Sequence, residues 1–447
     1  MEYYTGVAKK ETLEISELCM KAKAGGTGST VRVNGAVHTI RDIGNVAFVI
    51  LRKREGLLQA VYEKGSVRFS LKDIKEAAAV EVEGVLEENE KAPGGIEIRM
   101  KEVCVLSEPT DEQMPLAISK WKLDTSLEAK LNYRSIALRN VCERAKFRIQ
   151  EGLTRAFRDF LYGQGFTEIH TPKIGARGAE GGANIFKLEY FHRPAVLAQS
   201  PQFYKQMMVG VFDRVFETAP VFRAEKHNTK RHLNEYTSLD FEMGYIDGFE
   251  DIMAMESGYL QYAMRLLAEE YAAEVKVLGI ELPQTERIPA VRFSEIKELA
   301  AEKYSHKIRN PFDLEPEEEV LIGRYAKEEW DSDFVFVTHY PSKKRPFYAM
   351  DDPEDTRYTL SFDLLYKGME VTTGGQRIHD YKVLAEKIQA RGMTEEGMEQ
   401  YLNTFRHGMP PHGGLGIGLE RLTMKLTGED NVRETTLFPR DLSRLEP

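Results

Sequence analysis

The apolar residues of this chain change their period once, and that change divides it. Over residues 31–105 they fall in five short runs, at 31–35, 46–51, 57–61, 80–85 and 96–100. The first, fourth and fifth alternate with polar residues and the second is a continuous apolar run, as half-buried and fully buried strands respectively show. Glu55-Gly56 and Pro93-Gly94-Gly95 supply turns, and 71–79, between the third and fourth runs, is helix-compatible. Five short strands in this order predict a small closed β-barrel. Their count and order suit an OB-fold, a frequent reader of single-stranded nucleic acid, although any small barrel fits the pattern equally well.

The period then lengthens. Residues 106–135 are turn-rich and read as a connector. From near Asn140 a long helix is expected, with Ile149, Leu153 and Phe157 at four-residue spacing, Phe160 and Leu161 extending the stripe, and Gly163 or Gly165 to stop it. Further β-like runs at 166–171, 214–223, 236–245, 333–338, 359–365 and 368–373 alternate with helical segments. The expected fold class is α+β. An OB-fold domain would span 1–107, a connector 108–135, and a large domain on a mostly antiparallel sheet 136–447.

Composition removes several classes of function. No apolar run approaches the ~20 residues of a membrane span, and residues 1–6 lack the basic and apolar parts of a signal peptide. Cys19, Cys104 and Cys142 are too few and too scattered for a disulfide framework or a cysteine zinc site. The expected location is the reducing cytoplasm. A net charge of −10 argues at first against a nucleic-acid partner. Residues 1–100, however, carry 15 basic and 15 acidic side chains, so the whole deficit lies beyond the barrel. Local clusters must decide the partner.

Two stretches carry chemistry. Residues 221–236 are a β-run, a polar loop and a second β-run, with Arg223 and His232 at opposite ends of the loop. Two cations facing each other across a loop can clamp a polyphosphate, and Arg can bind it bidentately. A solvated hairpin tip is the plain alternative. Residues 412–422 are glycine-rich and run into helical sequence, so backbone can approach a ligand closely and a helix N-terminus can face an anion. The stretch lacks the Gly-Lys-Ser/Thr of a Walker A loop and the dinucleotide spacing; its distinctive element is Arg421, just after the glycines.

Together these stretches resemble motifs 2 and 3 of the class II aminoacyl-tRNA synthetases. The long helix followed by Gly165-Phe166-Thr167-Glu168-Ile169-His170-Thr171-Pro172 resembles motif 1, in which Pro172 would end a strand at a homodimer interface. The resemblance covers almost the whole chain. It implies that Arg223 holds the ATP α-phosphate and Arg421 the terminal phosphates, with His232 facing them across the loop. Tyr236 would stack on adenine, Glu225 would sit near the adenine amino group, and Leu233 and Gly418 would complete the nucleotide site.

Residues 199–206 resemble the substrate-lysine segment of aspartyl-tRNA synthetases, and 238–243 and 374–380 also look like theirs. By that resemblance Gln202, Lys205, Asp240, Thr373 and Arg377 bind aspartate, with Asp240 taking the ammonium and tempering Lys205. An aspartate side chain is told from neutral asparagine by two cationic partners, here Arg377 as a fork and Lys205 as a point charge. Glu180, in a stretch (178–186) that resembles a mobile loop, would close over the amino acid, with Ala179 where relatives usually have Ser or Thr. Asp363 and Glu370 are hard oxygen ligands that suit Mg²⁺. The resemblance has Glu370, helped by Asp363 and Thr373, bridge Mg²⁺ to ATP.

Residues 34–44 resemble the start of the anticodon-binding barrel of archaeal and eukaryotic-type aspartyl enzymes. Phe48 would stack on an anticodon base, and Gln59 and Glu97 would read base edges. Ala36 stands where many relatives carry Trp, a loss that would relax reading of the last anticodon base and admit tRNA-Asn beside tRNA-Asp. The stretch between motifs 2 and 3 is too short for the insertion domain of typical bacterial aspartyl enzymes, and 437–447 follow the archaeal and eukaryotic-type ending, with Leu442 for the usual Pro. The resemblance implies an aspartate–tRNA ligase working with ATP, L-aspartate and Mg²⁺. An asparaginyl-type ligase and a catalytically inactive tRNA-binding paralog are its rivals.

Overall fold

Alternation becomes strand pairing at the N-terminus of the computed structural model, which describes residues 6, 10–111, 113–178, 184–227 and 229–446. Strands β1 (Thr30–Asp42), β2 (Val46–Arg52), β3 (Leu57–Glu63), β4 (Ala79–Glu88) and β5 (Ile96–Ser107) hydrogen-bond in the order β1-β2-β3-β5-β4, and β4 also pairs with β1. Only β3 and β5 run parallel. β1 extends well past the run at 31–35. Its first half pairs with β4 and its second with β2, and a register shift between Val37 and Thr39 marks the bend. Val33, Val49, Ala60, Val82 and Ile98 fill the interior.

Two expectations for this unit need correction. Residues 71–79 form only a single 3-10 turn, Leu71–Asp73, because Ser70 and Asp73 cap it reciprocally and Ala79 already pairs with Ala36. Residues 108–135 are more than a bare linker. They carry one short helix, Leu127–Asn132, the start of a second, Arg134–Ala137, and a small apolar cluster around Leu116, Ile118 and Leu123. The chain separates into two units, Met1–Glu143 and Arg144–Pro447.

The second unit is built on strands β6 (Thr167–Glu168), β10 (Arg214–Phe222), β11 (Glu235–Gly244), β12 (Ala290–Arg292), β13 (Phe334–Thr338), β14 (Ser361–Tyr366), β15 (Glu370–Arg377) and β16 (His412–Gly418). Their order is β12-β13-β14-β15-β16-β11-β10-β6; the inner pairs are antiparallel, and the pairs at the two edges, β12–β13 and β10–β6, are parallel. A separate small sheet, β7-β9-β8, joins β7 (Ile174–Gly175), β8 (Lys187–Tyr190) and β9 (Arg193–Leu197).

Successive residues of a strand face opposite sides of the sheet. Leu239 and Phe241 of β11, Phe362 and Leu364 of β14, and Leu415 and Ile417 of β16 face one side. They pack with Ile149, Leu153 and Phe157 of the helix Val141–Gly163 and Tyr259, Leu260 and Leu267 of the helix Glu250–Glu270. The expected helical stripe is therefore core, and Phe157 meets both Phe216 and Tyr259 edge-on. The residues between them, Asp240, Glu242, Asp363, Gly414 and Gly416, face the other side.

The glycine-rich stretch is a strand inside the sheet, not a loop. A Cβ on Gly414 would come within 2.2 Å of Phe241 O and Glu242 Oε2, so the glycine makes room for the neighbouring strand and its carboxylate. The expected strand at 166–171 shrinks to Thr167–Glu168. Beyond it the Thr171 N–H and hydroxyl both donate to Glu217, at 2.7 Å each, and take the chain out of the ladder. Pro172 accordingly lies outside any strand and is exposed, as is Ile174 two residues on. Among the described residues, no helix is long and apolar enough to cross a membrane.

Candidate functional site

Register turns the second face of the sheet into a floor. Across β14, β15, β16 and β11 the Cα partners align as Asp363, Thr373, Gly416 and Asp240 in one row. Ser361, Gly375, Gly414 and Glu242 form the next. Gly416, in mid-floor, lines a cavity of about 740 Å³, the size of a small-molecule site.

One end of the cavity gathers buried charge. Lys205, on the helix Gln202–Phe212, donates to Asp240 Oδ1 at 2.9 Å and to Leu415 O at 2.8 Å, and stands 3.3 Å from Glu242 Oε2. Arg377 Nε donates to Glu242 Oε1 at 2.8 Å, and its Nη2 to Gly414 O at 2.9 Å. Burial alone would raise the Glu242 pKa; Arg377 and then Lys205 hold it below the ordinary range. Two further atoms here are buried and have no hydrogen-bond partner among the described residues: the acceptor Asp240 Oδ2 and the donor Gln202 Nε2. Both residues line the cavity.

Sequence reasoning passed over Glu242, although alternation puts it on the same face as Asp240. It also passed over the buried contacts of the neighbouring Gln206, which no local pattern announces. Tyr401 OH donates to Gln206 Oε1 at 3.0 Å, and Gln206 Nε2 lies 2.9 Å from His412 Nε2. Burial pushes the His412 imidazole down to about 4, so it is neutral at pH 7. With Nδ1 placed 2.9 Å from Pro410 O, the proton belongs on Nδ1, and Nε2 accepts from the amide.

The other end belongs to the polar loop. Arg223, Glu225, His232, Leu233, Tyr236, Gly418 and Arg421 all line the same cavity. Asn234, another residue the sequence did not single out, donates to the carbonyls of Arg223 (2.7 Å) and Glu225 (3.0 Å) and pins the loop's entry to its exit. The Arg223 guanidinium lies 5.7 Å from the Tyr236 ring centroid. Burial, with Arg421 nearby, lowers the His232 pKa, and its Nδ1 lies 2.5 Å from Thr229 Oγ1. Arg421 Nε donates to Arg231 O at 3.2 Å and its Nη1 to Glu370 O at 3.1 Å.

Comparison with known proteins gives the family. A family model described as tRNA synthetases class II (D, K and N) matches residues 126–442. The chain belongs to that family. A second model, an OB-fold nucleic acid binding domain, matches residues 31–106 of the synthetase. An aspartate–tRNA(Asp/Asn) ligase of Deinococcus radiodurans is 46% identical over 426 residues, covering 94% of this chain and 96% of that one. An aspartate–tRNA(Asp) ligase of Pyrococcus furiosus is 41% identical, with coverage of 94% and 97%. Among solved structures, the asparaginyl-tRNA synthetase of Pyrococcus horikoshii complexed with asparaginyl-adenylate superposes with a TM-score of 0.86 at 32% identity, over 94% of this chain and 97% of that one.

Of the metal candidates, Glu370 and Thr373 line the cavity and Asp363 lies beside them without lining it. Asp363 and Thr373 are register partners, and Thr373 Oγ1 donates to Glu370 Oε1 at 3.0 Å. Burial pushes the Asp363 carboxyl up to about 6 against the pull of Arg345, whose Nη2 lies 2.7 Å away. Burial would also raise Glu370, but Arg421 and Arg345 keep it below the ordinary range. Two carboxylates and a hydroxyl fit Mg²⁺, which commonly takes one or two carboxylates and completes its shell with water and phosphate oxygens. Among the described residues there is no group of three or more His, Cys, Asp and Glu that could hold an ion without such help.

Four further sequence candidates remain. Glu180 falls outside the described residues. Phe48, Gln59 and Glu97 belong to the N-terminal unit, on β2, β3 and β5, at alternate positions to the interior residues Val49, Ala60 and Ile98, so they share the outer face. Gln59 Nε2 donates to Glu97 Oε2 at 2.7 Å. Asn89 Nδ2 reaches the same oxygen at 2.8 Å and is a further candidate there.

Proposed function

We propose that this synthetase is an aspartate–tRNA ligase: it activates L-aspartate with ATP and passes it to the 3′ end of tRNA-Asp and of tRNA-Asn. The observation that carries the reading is the pair of unpartnered buried atoms beside Arg377 and Lys205. A bound amino acid would supply what they lack, its ammonium to Asp240 Oδ2 and an oxygen to Gln202 Nε2, with the side-chain carboxylate on Arg377.

Activation needs no protein nucleophile. The aspartate α-carboxylate oxygen attacks the α-phosphorus of ATP; the new O–P bond forms as the bond to pyrophosphate breaks. A terminal ribose hydroxyl then attacks the aspartyl carbonyl carbon, and AMP leaves. Arg223 at the α-phosphate and Arg421 at the terminal phosphates offset charge as it shifts, while Tyr236, Glu225, Leu233, Gly418 and His232 hold the nucleotide. When bound through Glu370, Asp363 and Thr373, Mg²⁺ would supply further charge neutralisation on the phosphates. Glu180 would close over the amino acid.

The N-terminal barrel, over 1–107 and followed by the connector 108–135, is the proposed anticodon reader through Phe48, Gln59 and Glu97. The catalytic domain over 136–447 would work as a homodimer, with Pro172 at the interface. The wider tRNA range is supported by Ala36 and by the name of the Deinococcus relative.

Arg223→Ala is expected to abolish aspartate-dependent ATP–pyrophosphate exchange in a folded protein; near-normal exchange, or exchange supported by asparagine instead of aspartate, overturns the reading. Side-by-side charging of tRNA-Asp and tRNA-Asn transcripts tests the range, and charging of tRNA-Asp alone would restrict it.

A further inference from the structure

Glu319 lies in the first turns of the helix Pro316–Trp330, outside every motif of the nucleotide site. Its buried carboxylate accepts from Arg231 Nη2 at 2.9 and 2.8 Å, and its Oε2 also accepts from the backbone N–H of Glu370 at 3.0 Å. Arg231 and Glu370 are the two residues whose carbonyls hold the Arg421 guanidinium. One carboxylate therefore ties the end of the polar loop to the start of β15, and Arg421 is hung between them.

The helix that carries Glu319 is itself held at fixed height. Gly368, at φ +72°, makes the turn just before β15, and a Cβ there would lie 2.8 Å from Val320 Cα. A Cβ on Gly323 would lie 2.3 Å from Gly368 N. Helix and turn meet backbone to backbone, which leaves neither free to shift along the other. Packing of this kind asks for small residues but not for a buried charge, and burying a carboxylate is costly unless it is paired. The carboxylate is accounted for by the two donors it joins.

We propose that Glu319 is a positioning residue for Arg421, setting the guanidinium in the orientation that receives the terminal phosphates of ATP. The proposal rests on the reading of Arg421 as a phosphate ligand. Glu319 touches no substrate and acts through Arg231 and Glu370.

The test is ATP–pyrophosphate exchange by full-length Glu319→Gln, beside Arg421→Ala and Arg231→Gln, with thermal melting of each protein. Glutamine keeps the shape and an acceptor for the Glu370 N–H but loses the charge that holds Arg231. The ATP KM is expected to rise on the order of tenfold, the scale of one charge-assisted hydrogen bond. The aspartate KM should stay within about twofold, an asymmetry that general loosening would not produce. Arg231→Gln cuts the same tie from the loop side, so it should give the same ATP-selective rise, and the double variant should be no worse than either single one. If Glu319→Gln does not fold, Arg231→Gln alone decides. An unchanged ATP KM, an equal rise in both KM values, or additive effects in the double variant overturns the role of Glu319. If Arg421→Ala leaves the ATP KM unchanged, the phosphate reading of Arg421 fails, and this inference with it.

Discussion

Arg377 Nε stands 2.8 Å from Glu242 Oε1, and Glu242 is completely buried. The two cations proposed to read an aspartate side chain are therefore balanced before any substrate arrives, Lys205 and Arg377 against Asp240 and Glu242. Glu242→Gln keeps the side chain's shape and removes one of those charges, leaving the buried cluster net positive. Breaking a buried pair in this way costs roughly 3–5 kcal/mol. Urea unfolding should show a loss of that order. In the protein that remains folded, kcat/KM for aspartate in pyrophosphate exchange should fall at least about tenfold as Arg377 loses its orientation.

Glu256 predicts a pH dependence. It is fully buried on the core side of the sheet, with one oxygen accepting from Thr372 Oγ1 at 2.5 Å and the other without a partner among the described residues. Burial pushes its carboxyl up to about 8 from the ordinary 4.5. The folded state thus binds this proton more tightly than the unfolded one. Stability from this group is fully present below about pH 4.5 and falls as pH rises towards 8, by at most ~1.4 kcal/mol per pH unit. Glu256→Gln cannot titrate there. The difference in unfolding free energy between variant and parent should shift in favour of the variant from pH 5 to pH 8, then level off; a difference that does not change with pH would contradict this assignment.

On the N-terminal unit, Phe48 offers an aromatic face beside Gln59 and Glu97. Stacking of a base on such a ring is worth ~1–3 kcal/mol. Phe48→Ala should raise the KM for tRNA in aminoacylation by roughly fivefold to a hundredfold, while pyrophosphate exchange, which involves no tRNA, keeps its parental rate. A matching fall in exchange would mean that the substitution acts through folding.

How far such sites can be read from sequence differs by residue. Phe48 stands in a continuous apolar run, which alternation does not sort; it, Tyr236, Asp240 and Asp363 were singled out by resemblance to the synthetases. In the folded strands Phe48 then alternates with Val49, Asp240 with Leu239 and Phe241, and Asp363 with Phe362 and Leu364. Arg223 and Arg421 stand out by residue type, as cations beside a polar loop and a glycine run. The glycines of 412–418 misled, because a strand and a ligand loop can both need glycine, and which one does depends on what crosses it. For Gly414 that is Glu242, on the neighbouring strand.

Local pattern thus decided the five short strands of the barrel and the apolar stripe of the long helix, since each follows from a few neighbouring residues. Register and long-range packing decided the rest. They aligned Asp363, Thr373, Gly416 and Asp240 in one row, paired Arg377 with Glu242, lowered the His232 pKa by burial, and brought Glu319 from a distant helix to the residues that hold Arg421. None of these follows from spacing along the chain. Hydrogen bonds and desolvation depend on distance in space, and the sheet brings together residues that the chain keeps far apart.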